Sequence, residues 1–241
     1  MRGTSFTFFA VAVLVASGCG RDETAALSDV VRPVSPVAPP GLEPSATLPS
    51  GEPTAAAAAG AGTGMAALDA LPWAERLPLE QALALSDARY APRMDEGGPV
   101  LETPGSVVAT FGVDGAELSF GGARSTTLAV VAIGRGGSLS PLSAGTRPEV
   151  AGAEVRTARA PGIVEWWRSL PSGLEHGVSI AHRPAGEGDL VVEVAVTGAL
   201  APWLVSDDAV ELRDVGGMRV ATYADLVVLD AAGARRPAVV L

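Results

Sequence analysis

The feature that most constrains this chain is an alternation that begins at Val100: apolar and polar residues exchange places with a period of two, and Gly, Pro or Asp interrupts the run every few residues. A helix would need apolar residues every three or four positions, so the pattern calls for strands that bury one face. In SVVATFG (106–112), Val107, Ala109 and Phe111 share a face; Asp114-Gly115 supplies a turn, and AELSF (116–120) returns with Leu118 and Phe120 alternating. Two such runs joined by a tight turn predict a β-hairpin. Residues 126–133 (TTLAVVAI) predict a third strand, and further strands are expected over 153–157, 163–168, 174–182, 190–197, 209–213, 219–229 and 238–241. Short strands at this spacing, with little helix between them, imply a mainly β domain over 99–241. Its architecture is an antiparallel β-sandwich or barrel-like sheet rather than a parallel α/β fold. The glycines of GRGG (134–137) follow a strand as a dinucleotide-binding loop would. A third glycine is missing, however, and the SLSPLSAG after it has proline at its fourth position and no helical periodicity.

The residues ahead of this domain follow other rules. Arg2 supplies a small positive segment, FTFFAVAVLVA (6–16) an apolar one, and Ala16-Ser17-Gly18-Cys19 a run of small residues. The apolar run is about half the roughly 20 residues that a membrane span needs, so 1–18 is expected to be a secretion signal. Cys19 is the only cysteine in the chain, which excludes a disulfide within the monomer. Its position resembles a bacterial lipobox, which implies that Cys19 is acylated, becomes the new N-terminus and holds the protein to a membrane. Ala16 stands where such boxes usually carry leucine. An ordinary signal cut after Ser17 or Gly18 would instead leave Cys19 as a thiol. Residues 19–64 are dominated by Pro, Ala, Gly, Ser and Thr, as in PVSPVAPPGLEPS and PTAAAAAGAGTG. With few large side chains to bury, such a segment is expected to be a disordered tether. Residues 65–98 are expected to be a linker with one short helix, in which Leu79, Ala82, Leu83 and Ser86 share a face and Pro78 opens the first turn. The 241 residues carry a formal charge of −10, every cation is an arginine, and neither lysine nor asparagine occurs. That charge offers no basic footprint for a phosphate backbone and disfavours nucleic-acid binding.

The richest stretch is EWWRSLPSGLEHGVSIAHRP (165–184), which holds both histidines. On a strand, Leu174, His176, Val178, Ile180 and His182 have one parity, so the two histidines share a face but lie roughly 20 Å apart at about 3.3 Å per residue. They cannot meet in one site. No close His or Cys spacing suggests zinc, and GVSIA lacks the second glycine of a nucleophile elbow. Trp166 and Trp167 face opposite ways; Trp166 is expected in the core, leaving Trp167 with Glu165, Glu175 and His176 as a possible binding surface. Glu165 and Glu175 are expected either as buried partners of an arginine such as Arg168 or Arg183, or as solvated side chains. Asp207-Asp208 and Asp214 lack any calcium-loop spacing and read as turn acids. Tyr223 is expected in the core. No cofactor or metal is implied.

From about Gly152 to Leu241 the chain resembles the β-rich N-terminal module of secreted bacterial proteins and lipoproteins of the FG-GAP and SBBP (β-propeller repeat) type. The residues that carry the resemblance are Val164-Glu165-Trp166-Trp167, Gly173-Leu174-Glu175-His176-Gly177, Arg183-Pro184, the strand 190–197 closed by Gly198, and Tyr223-Ala224-Asp225-Leu226 before Asp230-Ala231-Ala232-Gly233. Val178 departs from the phenylalanine of that pattern, and Ser169-Leu170 from its polar-Gly turn. The sequence stops at Ala238-Val239-Val240-Leu241, without the propeller, which suggests a shortened relative or a frame cut from a longer one. The resemblance implies no catalytic residues and a structural or adhesive role. Two readings therefore stand. One is a non-enzymatic, lipid-anchored envelope protein that meets a protein or glycan partner. The alternative is a secreted carboxylate-dependent hydrolase or carbohydrate-binding protein, which needs two acids facing each other at roughly 5–9.5 Å.

Overall fold

The computed structural model describes residues 6–14, 68, 70–104, 106–121 and 124–241, with the backbone alone for 6–14, Trp73 and Ala74. Cys19 and the expected tether at 19–64 lie outside the described residues. In chain order the elements are β1 (Phe6–Leu14), helix α1 (Trp73–Ser86), a 3-10 turn (Ala88–Tyr90), β2 (Arg93–Asp95), β3 (Gly98–Thr103), β4 (Val107–Gly112), β5 (Gly115–Ser119), β6 (Ser125–Arg135) and β7 (Ser138–Pro141). There follow β8 (Glu149–Ala151), β9 (Glu154–Ala160), β10 (Ile163–Leu170), β11 (Gly173–Ile180), β12 (Leu190–Gly198), β13 (Ala201–Ser206), β14 (Ala209–Arg213), β15 (Arg219–Leu229) and β16 (Arg235–Arg236).

The fold is mainly β, as the alternation requires. One sheet runs β12-β6-β5-β4-β3-β2, with β7 also on β6; the other runs β13-β14-β15-β1-β11-β10-β9-β8, with β16 on β15. Every pairing is antiparallel except those of β1, which lies parallel to β11 on one side and to β15 on the other. The inner faces of the two sheets meet in one core, to which the first sheet brings Leu101, Phe111, Leu118 and Leu128, and the second Val155, Trp167, Leu174 and Leu212. This is a sandwich of two layers sharing buried apolar faces.

Within the first sheet the expected hairpin forms as β4 and β5, with Gly112 opposite Gly115 and Val113-Asp114 as the two loop residues. The turn thus sits one residue earlier than the Asp-Gly signal suggests. Gly115 is needed for another reason. At φ +145 it passes so close to β6 that an added Cβ would lie 2.5 Å from the Leu128 carbonyl oxygen. Only glycine avoids that overlap.

Three expectations need correction. The β domain opens before residue 99, since β2 and β3 pair from Arg93 onward and α1 belongs to the same compact unit. The helix begins at Trp73, so Pro78 lies inside it, and the face chosen from Leu79 and Leu83 points to solvent, at 47% and 44% exposure. The packed face instead contains Leu77 and Ala84, set against Leu170 and Trp166 on the outer face of the second sheet. Glu80 shares that face, fully buried, and a polar residue there hides the apolar stripe from a periodicity argument. Last, 238–241 forms no strand: Arg235–Arg236 pairs with β15, and the Val240 amide donates to the Asp207 carbonyl at 2.6 Å.

Candidate functional site

The four residues expected to form a binding surface all lie in β10 and β11, and all are inside. Glu165, Trp167, Glu175 and His176 are each at most 2% exposed. An alternating strand has one outer face only if nothing covers it, and here both faces of the β10–β11 hairpin are covered, one by the first sheet and one by α1. The register separates the four: Trp167 is opposite His176 and Glu165 opposite Val178, whereas Glu175 is opposite Arg168. Cross-strand partners share a face, so Glu165, Trp167 and His176 point between the sheets and Glu175 points under the helix. The tryptophans are exchanged relative to expectation. Trp167 fills the inter-sheet core, while Trp166 packs outside it with Leu77, Val227 and Leu229.

Between the sheets the polar groups form one chain of hydrogen bonds. The His176 ring is stacked on Trp167, with centroids 4.0 Å apart and planes 8° from parallel. Its Nε2 lies 2.8 Å from Glu165 Oε1 and its Nδ1 lies 3.0 Å from the Tyr223 hydroxyl, which β15 turns inward. Because an ionised carboxylate can only accept, Nε2 carries the proton. Glu165 Oε2 accepts from Arg159 Nε at 2.5 Å, and Arg159 Nη1 donates to the Val113 carbonyl at 2.9 Å, which ties the network to the β4–β5 turn of the other sheet. Burial alone would push the Glu165 carboxyl up, but the hydrogen bond and charge of His176, together with the Arg159 guanidinium, hold it below the usual carboxylate range. Burial drives the Tyr223 hydroxyl well above its ordinary value.

Under the helix a second cluster forms. Arg168 donates to Glu175 at 3.0 Å and also to Glu154, while Gln81 of α1 reaches the Glu175 carboxylate at 3.2 and 3.3 Å. The Arg168 guanidinium lies 5.5 Å from the Trp166 ring centroid. Here burial outweighs the arginine, and the Glu175 carboxyl is raised. Farther along α1, Arg76 is 3.4 Å from Glu80 and 3.8 Å from Asp225, and Ser172 donates to Glu80. Asp225 is the one described non-glycine residue with a positive φ, +62, where the pairing of β15 with β1 slips by a residue.

The arrangement decides several chemical questions. Glu165, His176 and Tyr223 are in the order acid, imidazole, hydroxyl, as in a nucleophile relay, yet a relay needs a hydroxyl that gives up its proton at an accessible point. The raised Tyr223 hydroxyl and the inward direction of all three groups oppose that use. Glu165 and Glu175 lie on opposite faces of one sheet, so they cannot flank a common bond. Asp208 accepts from Ser206, and Asp214 accepts from the amides of Gly216 and Met218, each within its own turn. Among the described residues no cluster of three His, Cys, Asp or Glu side chains has metal-binding geometry. His182 lies beyond the end of β11 and is exposed.

Comparison with family models, with curated proteins and with solved structures finds no match.

Glu175 does pair with Arg168, but the arginine on Glu165 is Arg159, six residues back and around the Pro161-Gly162 turn. Its signal in the sequence is its phase. Val155, Thr157 and Arg159 share the inward parity of β9, and an arginine in a core phase asks for a buried acid.

Proposed function

We propose that this protein is a non-enzymatic bacterial envelope protein, anchored by a lipid on Cys19, whose β-sandwich has a structural or adhesive role. Strand β13 carries the proposal. It is the edge of the second sheet, exposed at all six residues, and it presents Trp203, Leu204 and Val205 at 58%, 51% and 47% exposure. Pro202 limits further strand pairing along this edge, but three successive exposed apolar side chains beyond it support a contact surface for a protein or glycan partner. The burial of Glu165 against His176 and Arg159, and of Glu175 against Arg168, supports a structural rather than chemical use of those groups. The small-residue run ending at Cys19 supports the anchor, and the leader–tether–domain order supports display away from a membrane.

Two experiments test the reading. Expressed in a bacterial host, the wild type should show a diacylglyceryl mass on Cys19 and enter the detergent phase, whereas Cys19→Ala should lose both; a soluble, unmodified wild type would remove the anchor. Cells displaying the wild type should settle faster than cells displaying Trp203→Glu/Leu204→Lys at equal surface level. Because both side chains are exposed, the double variant should keep its thermal midpoint. Equal settling of the two would exclude β13 as the adhesive edge.

A further inference from the structure

The strand β1 is at once the apolar segment of the expected leader and the central strand of the larger sheet. Six of its residues are in register with β11, from Phe9 opposite Glu175 to Leu14 opposite Ile180, and seven with β15, from Phe6 opposite Ala221 to Val13 opposite Leu229. If cleavage before Cys19 removes it, the sheet loses its middle and both neighbours face the gap with unpaired N–H and C=O groups.

The rest of the molecule holds that gap open. Beneath it, the hydrogen bond from His176 on β11 to Tyr223 on β15 spans the two half-sheets at 3.0 Å. Above it, α1 grips both sides, through Gln81 to Glu175 on β11 and through Arg76 to Asp225 on β15. Trp166 of β10 and Val227 of β15 also meet under Leu77. None of these contacts uses β1. Closing β11 directly onto β15 would move the half-sheets together by about one strand spacing, roughly 4.8 Å, and would break this two-sided bracing.

We infer that the mature protein, on the anchored reading proposed above, keeps a strand-wide slot between Gly173–Ile180 and Arg219–Leu229 that accepts an extended apolar strand of a partner polypeptide, parallel to both walls. The chemistry of the guest follows from what occupies the slot here, FTFFAVAVL, a run of aromatic, β-branched and small residues without charge or proline. Proline would remove a ladder donor. Main-chain pairing supplies affinity in such strand addition, and side-chain size at fixed positions supplies selectivity. Val11 is a position sensitive to proline, because its backbone is in register with both walls, with Gly177 on β11 and with Val227 on β15.

The test uses the lipoprotein purified from membranes in detergent, its N-terminus fixed by intact mass, and the synthetic peptide FTFFAVAVL with arginine tails as probe. The expected result is saturable one-to-one binding, a raised thermal midpoint, and amide exchange in Gly173–Ile180 and Arg219–Leu229 slowed by roughly tenfold or more. The Val11→Pro peptide should bind at least about tenfold more weakly. With a mature N-terminus at Cys19, failure of the peptide to bind, or full protection of those amides before it is added, would mean a closed sheet and overturn the slot alone. Equal binding of the Val11→Pro peptide would also overturn it. A mass that retains residues 6–14 would make β1 a resident strand, and would overturn the slot and the anchor together.

Discussion

Replacing Glu165 with leucine is expected to cost about 3–5 kcal/mol, the usual penalty for leaving one partner of a buried ion pair alone. Arg159 would keep its charge at 3% side-chain exposure with only the Val113 carbonyl to receive it, and His176 would lose the acceptor at Nε2. The thermal midpoint should fall by about 10 °C or more. Glu165→Gln should fall less, because an amide oxygen can still accept from His176. A midpoint for Glu165→Leu within a degree or two of wild type would show that the network is not a structural clasp. Glu165 and Glu175 also contribute to the acid response, with opposite signs. The Glu165 carboxyl is held below its unfolded value near 4.5, so its contribution is complete above that pH and disappears as the pH falls through the lower folded value. Glu175 has the opposite sign. Its carboxyl is raised above 4.5, so folding favours the protonated form, and stability is lost as the pH rises from 4.5 through the folded value. The slope of the urea midpoint against pH should therefore be reduced below 4.5 in Glu165→Gln and above 4.5 in Glu175→Gln; slopes unchanged in both would refute these assignments.

Trp167→Ala is expected to cost about 3–5 kcal/mol as well, for a different reason. The indole is 2% exposed, stacked on His176 and tilted against Phe111 at 6.1 Å, so its removal opens a cavity between the sheets and frees the imidazole from its stack. Trp203→Ala should cost under about 1 kcal/mol, since that ring is on an exposed edge with Arg213 lying over it, 4.9 Å from the centroid. Chemical denaturation of the two variants side by side gives the comparison. Similar losses at both positions would contradict the inner and outer placement of these rings.

Where burial is one-sided, alternation marks the strand: residues 107–112 form β4, with Val107, Ala109 and Phe111 buried between more exposed neighbours. Residues 209–213 and 219–229 also match β14 and β15 to the residue, although β15 buries Val220 and Ala221 in succession. Strand β13 escapes such reasoning: APWLVS places Trp, Leu and Val in succession after a proline, and an edge strand exposed throughout has no dry face to impose a period. Strand β11 reads correctly, but its burial on both sides does not, since His176 and Glu175 are polar residues that only long-range partners make tolerable inside. Those partners, Tyr223 and Gln81, are 47 and 94 residues away. Sequence spacing carries no information about them, so a candidate surface and a buried clasp look alike.

The position of β1 also sets a schedule. Its two neighbours, Gly173–Ile180 and Arg219–Leu229, are synthesised long after it, and pairings so distant in sequence are intrinsically slow to form. At about 5–20 residues per second, the ribosome needs roughly 10–30 s between completing the first strand and completing the first wall that can hold it. Throughout that interval the apolar segment has no sheet to enter, and on the anchored reading proposed above it is open to capture as a leader before its own walls exist.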